Sequence, residues 1–125
     1  MAKALSDTML DLMLDVFRAR VTRINVDSTQ PTTYAEAITT YKLATTTLTS
    51  TDLSIGDGDT SGRKFTVAAK SGLTIDTTGT AAHVSLTGST GSTVLLLVTT
   101  CTTIALTTGN TVNVPVWDFE IRDVA

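Results

Sequence analysis

The sequence predicts a mainly β domain, an antiparallel β-sandwich or barrel of six to eight short strands preceded by one N-terminal α-helix. Threonine supplies 28 of the 125 residues, and β-branched side chains favour strands. From residue 41 onwards, short apolar segments are separated by glycine-containing turn signals. No helical pattern interrupts these segments, which favours antiparallel pairing over βαβ units. The length fits a single domain.

The N-terminal segment, residues 2–20, contains no glycine or proline, and its apolar residues recur every three or four positions. This spacing predicts an amphipathic helix. The apolar positions are Leu5, Met9, Leu12, Met13, Val16 and Phe17. The polar stripe is narrow and consists of Asp7, Asp11, Asp15 and Arg18. We therefore divide the chain into a helical anchor or arm, residues 1–20, and one antiparallel β domain, residues 21–125.

Two elements are expected between the helix and the β segments. Residues 21–27 alternate, with Ile24 and Val26 on one face and Asn25 on the other, as in a half-buried strand. Pro31 then interrupts the chain. Thr33, followed three residues later by Glu36, forms a candidate capping box. One or two helical turns are predicted over residues 34–39.

The remaining strands are predicted from apolar segments between turns. They cover residues 41–49, 52–55, 64–69, 73–76, 81–87, 93–100, 101–107 and 111–124. In the last segment the apolar positions change phase around Pro115, which has no N–H to donate. A bulge or bend is therefore expected there.

Composition narrows the function classes. Apolar residues make up 42% and charged residues 17% of the chain, which argues against disorder, and no apolar run is long enough to span a membrane. A net charge of −3 argues against a nucleic-acid partner. The single Cys101 excludes an intrachain disulfide, and Asp7, Asp11 and Asp15 interrupt any secretory-signal pattern. Synthesis in a reducing cytoplasm is expected, with neither nucleic acid nor membrane as a partner.

Few residues are candidates for chemistry. The single His83 and single Cys101 exclude a zinc site built from several such ligands, although a Cys–His pair remains formally possible. Asp57 and Asp59, with Asp52 nearby, could form a weak calcium loop, but Asp and Gly are common in any turn. The sequence predicts no catalytic, metal or cofactor-binding residue and no cofactor.

Asp118 and Glu120 alternate with Trp117, Phe119 and Ile121. A pair of carboxylates on one strand face could serve a hydrolase. The alternation more simply indicates a strand with one solvated face and one packed face.

The most informative pattern is an absence of charge over residues 77–117, which contain no Asp, Glu, Lys or Arg. Monomeric β proteins usually guard exposed strand edges with charge, and interface cores are depleted of it. The pattern predicts packing against another subunit; the alternative is a neutral, threonine-coated surface. The candidate interface residues are Leu5, Met9, Leu12, Met13, Val16, Phe17, Val94, Leu96, Val98 and Trp117.

Several strings carry a family resemblance. They are PTTYAEA at residues 31–37, TTYKLA at 39–44, DGDTSGRKFTVAA at 57–69, GTAAH at 79–83 and TTGNTV at 107–112. Together they resemble a family of short proteins encoded among the virion structural genes of tailed bacteriophages. The resemblance covers most of the chain after the helix, but its motifs are turns and strands and not catalytic signatures.

The resemblance implies a non-enzymatic virion protein, made in the bacterial cytoplasm, that decorates and stabilises the capsid. Its expected partners are copies of itself and the major capsid protein or other virion proteins. A head–tail or neck component is an alternative position. A receptor- or glycan-binding module, using Trp117, Tyr34 or Tyr41, is an alternative function. A small hydrolase using Asp118, Glu120 or His83 is a third hypothesis.

Overall fold

The computed structural model describes residues 6–88 and 94–121 and is mainly β, as predicted. Within these ranges it contains one α-helix, nine strands and two short helical turns. The helix is α1 (Asp7–Arg20), and the strands are β1 (Arg23–Asp27), β2 (Lys42–Thr47), β3 (Leu53–Asp57), β4 (Arg63–Val67), β5 (Lys70–Thr74), β6 (Gly79–Gly88), β7 (Val94–Leu106), β8 (Thr111–Val114) and β9 (Trp117–Ile121). The turns are a π-helical turn (Glu36–Thr40) and a 3-10 turn (Ser50–Asp52).

The helix α1 begins and ends where local chemistry predicts. Ser6 caps it, because its hydroxyl oxygen accepts a hydrogen bond from the Met9 N–H at 3.2 Å. Arg18 and Arg20 lie in the last turn, where the helix dipole favours positive charge. Leu10 and Leu14 are buried and attach the helix to the β domain. The segment predicted over residues 2–20 is thus helical from residue 7, and residues 1–5 lie outside the described ranges.

Nine strands form three antiparallel sheets that together resemble a sandwich but do not close into a barrel. The four-stranded sheet has the order β2-β1-β6-β7, the three-stranded sheet β3-β4-β9 and the two-stranded sheet β5-β8. A bridge between Ala44 and Ile75 joins the β2 edge to the chain just after β5. The Asp76 N–H extends this junction by donating to the Leu43 carbonyl at 2.7 Å.

One hydrophobic cluster connects the sheets and the helix. Ile24 and Leu86 are fully buried in the four-stranded sheet, and Phe65 is almost fully buried in β4. The Phe65 ring lies 4.8 Å from that of Phe17 in α1 and 5.5 Å from that of Phe119 in β9, measured between centroids. These separations are typical of tilted aromatic pairs. The Phe17–Phe65 pair packs α1 against the three-stranded sheet.

The structure changes three expectations from the sequence. The segments 93–100 and 101–107 form one thirteen-residue strand, β7. The last segment divides into β8 and β9 at Pro115 and Val116, so the predicted bend is a complete break and the strand count is nine. Strand β1 is not half-buried: it lies between β2 and β6, and Asn25 and Asp27 are as buried as Ile24.

Thr33 and Glu36, the predicted capping pair, are in contact before the π-helical turn. The Glu36 N–H donates to the Thr33 hydroxyl at 3.2 Å, as in a capping box. The Glu36 carboxylate also accepts from the N–H and the hydroxyl of Thr32, at 2.7 and 2.9 Å. These hydrogen bonds lower the pKa of Glu36.

Candidate assembly surfaces

The outer edge of β7 is the longest strand edge of the described chain that no other strand covers. One side of β7 pairs with β6 from Gly79 to Gly88, and no described strand pairs with the other side. All thirteen residues of β7 are uncharged. The other edge strands β2, β3, β5 and β9 each carry at least one charged residue, and only the four-residue β8 does not. Charge on an edge strand is a common barrier to edge-to-edge pairing, and β7 lacks it.

A groove with a volume of about 640 Å³ runs beside the β7 edge. Residues 99–104 of β7 form one wall, and residues 112–115 with Trp117 and Asp118 form the other. Val26, Ala81 and Val84 lie at its base, and all three belong to the buried core. The groove therefore marks the place where the sandwich stays open between β7 and the β8–β9 segment, and its walls are predominantly apolar and threonine-rich.

A second exposed apolar surface lies on α1. We define the helix strip as Met9, Leu12, Met13 and Val16, whose side chains are between 46% and 60% exposed. These positions follow the i, i+3, i+4, i+7 spacing of one helix face. Leu10 and Leu14, at most 2% exposed, occupy the neighbouring face that packs on the β domain. The apolar surface of α1 is therefore wider than the surface that the core covers.

The predicted interface residues occupy three different environments. Met9, Leu12, Met13 and Val16 form the exposed helix strip, whereas Phe17 packs on the core beside Phe65. Val94, Leu96 and Val98 are half-buried in the first half of β7, where Leu96 contacts the core. Trp117 is half-buried in the groove wall, and in the described part of the chain its indole N–H has no hydrogen-bond partner. Leu5 lies outside the described residues.

A buried polar cluster, missed by the sequence analysis, crosses the middle of the four-stranded sheet. The Asn25 side-chain amide donates to the hydroxyls of Ser85 and Thr87, and its oxygen accepts from Thr45 at 2.7 Å. The Ser85 hydroxyl donates to Asp27 at 2.6 Å. Such networks fix one strand register because each member needs its partner. Alternation showed that Asn25 and Asp27 share a face, but not that this face is buried.

Asp27 is the group in this cluster whose proton affinity changes most. Burial raises the pKa of its carboxyl group to about 6, against an opposing effect of the Ser85 hydrogen bond. The Oδ1 atom of Asp27 and the Nδ1 atom of His83 are both buried without a hydrogen-bond partner among the described residues. The two residues are cross-strand neighbours in the β1–β6 pair.

The structure does not bring His83 and Cys101 together as a nucleophile and its base. His83 pairs with Thr100 across β6 and β7, so the next residue, Cys101, points to the opposite face of the sheet. Cys101 contacts the hydrophobic core and lines the groove. Burial raises the pKa of its thiol, which disfavours the reactive thiolate.

The acidic residues of the candidate calcium loop each have a basic partner. Asp57 pairs with Arg63, Asp59 with Lys64 at 2.6 Å, and Asp52 with Lys70 at 3.0 Å. Within residues 6–88 and 94–121, no three His, Cys, Asp or Glu side chains converge in a way that could hold a metal ion. The loop also has a structural use, because the Glu120 carboxylate accepts from the Thr60 N–H at 2.9 Å.

Asp118 and Glu120 lie on the outer face of β9, as their alternation predicts. Asp118 is exposed and pairs with Lys64 at 3.3 Å, while Phe119 contacts Phe65 on the inner face. Their carboxylates thus contribute to a network with the 57–64 turn.

Comparison of the chain with known protein families, curated proteins and solved structures found no match. In the described residues, no helix is long and apolar enough to cross a membrane.

Proposed function

We propose that this chain is a non-enzymatic structural protein of a tailed-phage particle, a capsid decoration or stabilising protein that assembles through its uncharged β surface and its helix. The observation that carries the proposal is the outer edge of β7: thirteen uncharged residues beside an open apolar groove. A soluble monomer exposes such an edge at the risk of uncontrolled pairing. An assembly protein uses the same edge as a contact.

The helix strip provides a second contact, on a different part of the molecule. Its four side chains present an apolar face, and α1 is already held by Leu10 and Leu14. A preformed helix face loses little conformational entropy on docking. We assign this strip to the larger partner, the major capsid protein or another virion protein, and the β7 edge to neighbouring copies of the chain.

The phage context rests on the resemblance of the turn and strand strings, and the assembly role rests on the two surfaces. Binding to an assembled shell, and not to separate subunits, stabilises the shell by mass action. When many copies bind to a symmetric shell, their stabilising free energies add together.

The test is co-sedimentation of the purified full chain with capsid shells that lack it. We expect the chain to sediment with the shells, and the double substitution of Leu12→Ser with Val16→Ser to abolish this. Thr8→Ser, an exposed position of α1 outside the strip, is the matched control and should sediment normally. A double variant that binds as the unaltered chain does would contradict the helix assignment, and an unaltered chain that never sediments would contradict decoration.

A glycan-binding module is the second candidate function. The groove volume lies within the range of small-ligand sites, and Trp117 lies in its wall. Saccharide binding on an array that disappears in Trp117→Ala would favour this function. Shell binding without any saccharide signal would favour the assembly role.

A further inference from the structure

We infer that two copies of this chain pair through β7, antiparallel and about a two-fold axis at Thr100, to form one continuous eight-stranded sheet. This deepens the proposed function by naming the partner and the register at the β7 edge. The partner surface is the same edge of a second copy.

Two β7 edges can pair with each other without electrostatic repulsion. A two-fold contact lays an edge against the same edge of a second copy, so an edge that carries net charge meets an edge of the same charge, which disfavours association. Among the longer edges, β9 carries Asp118 and Glu120, and β2 carries Lys42. The β7 edge has no charge over its whole length.

The β7 sequence is self-complementary about Thr100. Antiparallel pairing at this centre places Val94 opposite the partner's Leu106, and Leu96 opposite the partner's Ile104. Both ends of the strand then bring apolar side chains together, and Thr100 meets its own copy at the centre. Between the ends and the centre, Leu97, Val98 and Thr99 lie opposite the partner's Thr103, the partner's Thr102 and the partner's Cys101. Cross-strand pairs of β-branched and apolar residues stabilise a sheet, and this register brings no charged side chains together. The β6–β7 pairing shifts register between Leu95 and Leu97 and between Thr100 and Ile104, so the contact between copies is expected along the regular parts of the strand.

The partner also reaches the groove. Residues 99–104 form a groove wall, and in this register they face the partner's residues 96–101. An edge about 43 Å long and about 10 Å thick offers roughly half of the ~800 Å² per partner that a stable interface buries. The exposed Ile104 and Val116 beside the edge provide apolar surface that can add to this contact. A reversible dimer is therefore expected.

The register makes a sharp prediction for cross-linking. In a Cys101→Ser background, Thr100→Cys places the only two thiols of the dimer directly opposite each other, at a Cα separation that a disulfide spans. Thr103→Cys is the matched control, because both threonines are exposed on β7 but the two copies of residue 103 lie about 20 Å apart. Under mild oxidation we expect a covalent dimer from Thr100→Cys and essentially none from Thr103→Cys.

Disruption of the edge gives an independent readout. Thr100→Lys places two like charges side by side at the axis and should weaken the dimer at least about tenfold, as measured by sedimentation equilibrium. Thr47→Lys, at an exposed position on the opposite edge strand β2, should leave it unchanged. Circular dichroism of each variant identifies any loss of folding.

The outcomes separate this inference from the proposed function. Equal cross-linking at residues 100 and 103, or a dimer that tolerates Thr100→Lys, would overturn the register even if the chain binds shells. A chain that stays monomeric at all concentrations would overturn the pairing, while shell binding through the helix strip could still be observed. A dimer with the expected cross-link but no shell binding would support the pairing and contradict decoration.

Discussion

The three-stranded sheet and the β6–β7 half of the four-stranded sheet differ in charge. On the three-stranded sheet, Arg63 contacts both Asp11 and Asp57, and Lys64 contacts both Asp59 and Asp118. On the other side of the groove, residues 77–117 contribute the long strands β6 and β7 without one Asp, Glu, Lys or Arg. This difference in charge is the basis for proposing that the β7 edge contacts protein.

The charged side is also the side on which α1 is fastened. Arg63 reaches Asp11 of the helix at 2.6 Å, and Phe17 of the helix stacks on Phe65. The uncharged side instead offers bare backbone and threonine hydroxyls along β7. Threonine keeps such a surface soluble while its methyl group and β-branching favour strands.

The largest expected effect comes from a substitution at the junction between α1 and the four-stranded sheet. Gly88 ends β6 directly beneath the end of α1, and a Cβ atom there would lie 2.2 Å from the Arg20 carbonyl oxygen. Gly88→Ala forces backbone to move and should lower the free energy of unfolding by about 3 kcal/mol.

The matched control for this prediction is Gly56→Ala on the three-stranded sheet. A Cβ atom at Gly56 meets nothing within 4 Å, so its substitution should change stability by less than about 1 kcal/mol. Urea denaturation measures both variants. Equal destabilisation of the two variants would contradict the close approach of α1 to β6.

The next effect concerns the buried polar cluster of the four-stranded sheet. The pKa of Asp27 is about 6 in the folded chain against 3.8 as a reference, so the folded state holds the proton more tightly than the unfolded state. The resulting stability is fully present below about pH 4, is lost as the pH rises through 6 and stays absent above it. Asp27→Asn should remove this dependence and raise stability at pH 7 by about 1 to 3 kcal/mol.

Denaturant titrations of both proteins at pH 4, 5, 6 and 7 provide the measurement. The difference between their stabilities isolates Asp27 from the other carboxyl groups. A difference that does not vary between pH 4 and pH 6 would contradict the burial of this carboxyl group.

The smallest effect belongs to the three-stranded sheet. Lys64 is a surface residue with two carboxylate partners, Asp59 at 2.6 Å and Asp118 at 3.3 Å, and these contacts raise its pKa. Exposed ion pairs contribute little, so Lys64→Gln should cost less than about 1 kcal/mol, and the cost should shrink in high salt. Thermal denaturation at low and high salt measures it, and a large, salt-independent loss would contradict a solvated network.

The sequence predicted those features that depend on neighbouring residues. The helix, its polar stripe and the separation of Asp118 from Phe119 follow from local periodicity. The absence of charge over residues 77–117 was equally visible. The structure confirmed the mainly β, sandwich-like class, and it divides the last segment into two strands at Pro115, which has no N–H to donate.

Features that depend on strand order could not be predicted. Nothing local distinguishes β7 as an edge strand from β1 as a central one, because their positions follow from pairing between distant segments. For the same reason the burial of Asn25 and Asp27 was missed: their face is polar in sequence but enclosed in the fold. The exposure of the helix strip likewise depends on where the helix packs.

The central claim is that the uncharged edge of this domain is a surface for assembly. Light scattering of the full chain over a range of concentrations, alone and then with capsid shells that lack it, tests this most directly. The account predicts a mass that rises from 13.1 kDa towards twice that value with concentration, and addition of the chain to the shells. A mass of 13.1 kDa at every concentration, with no binding to shells, would contradict it.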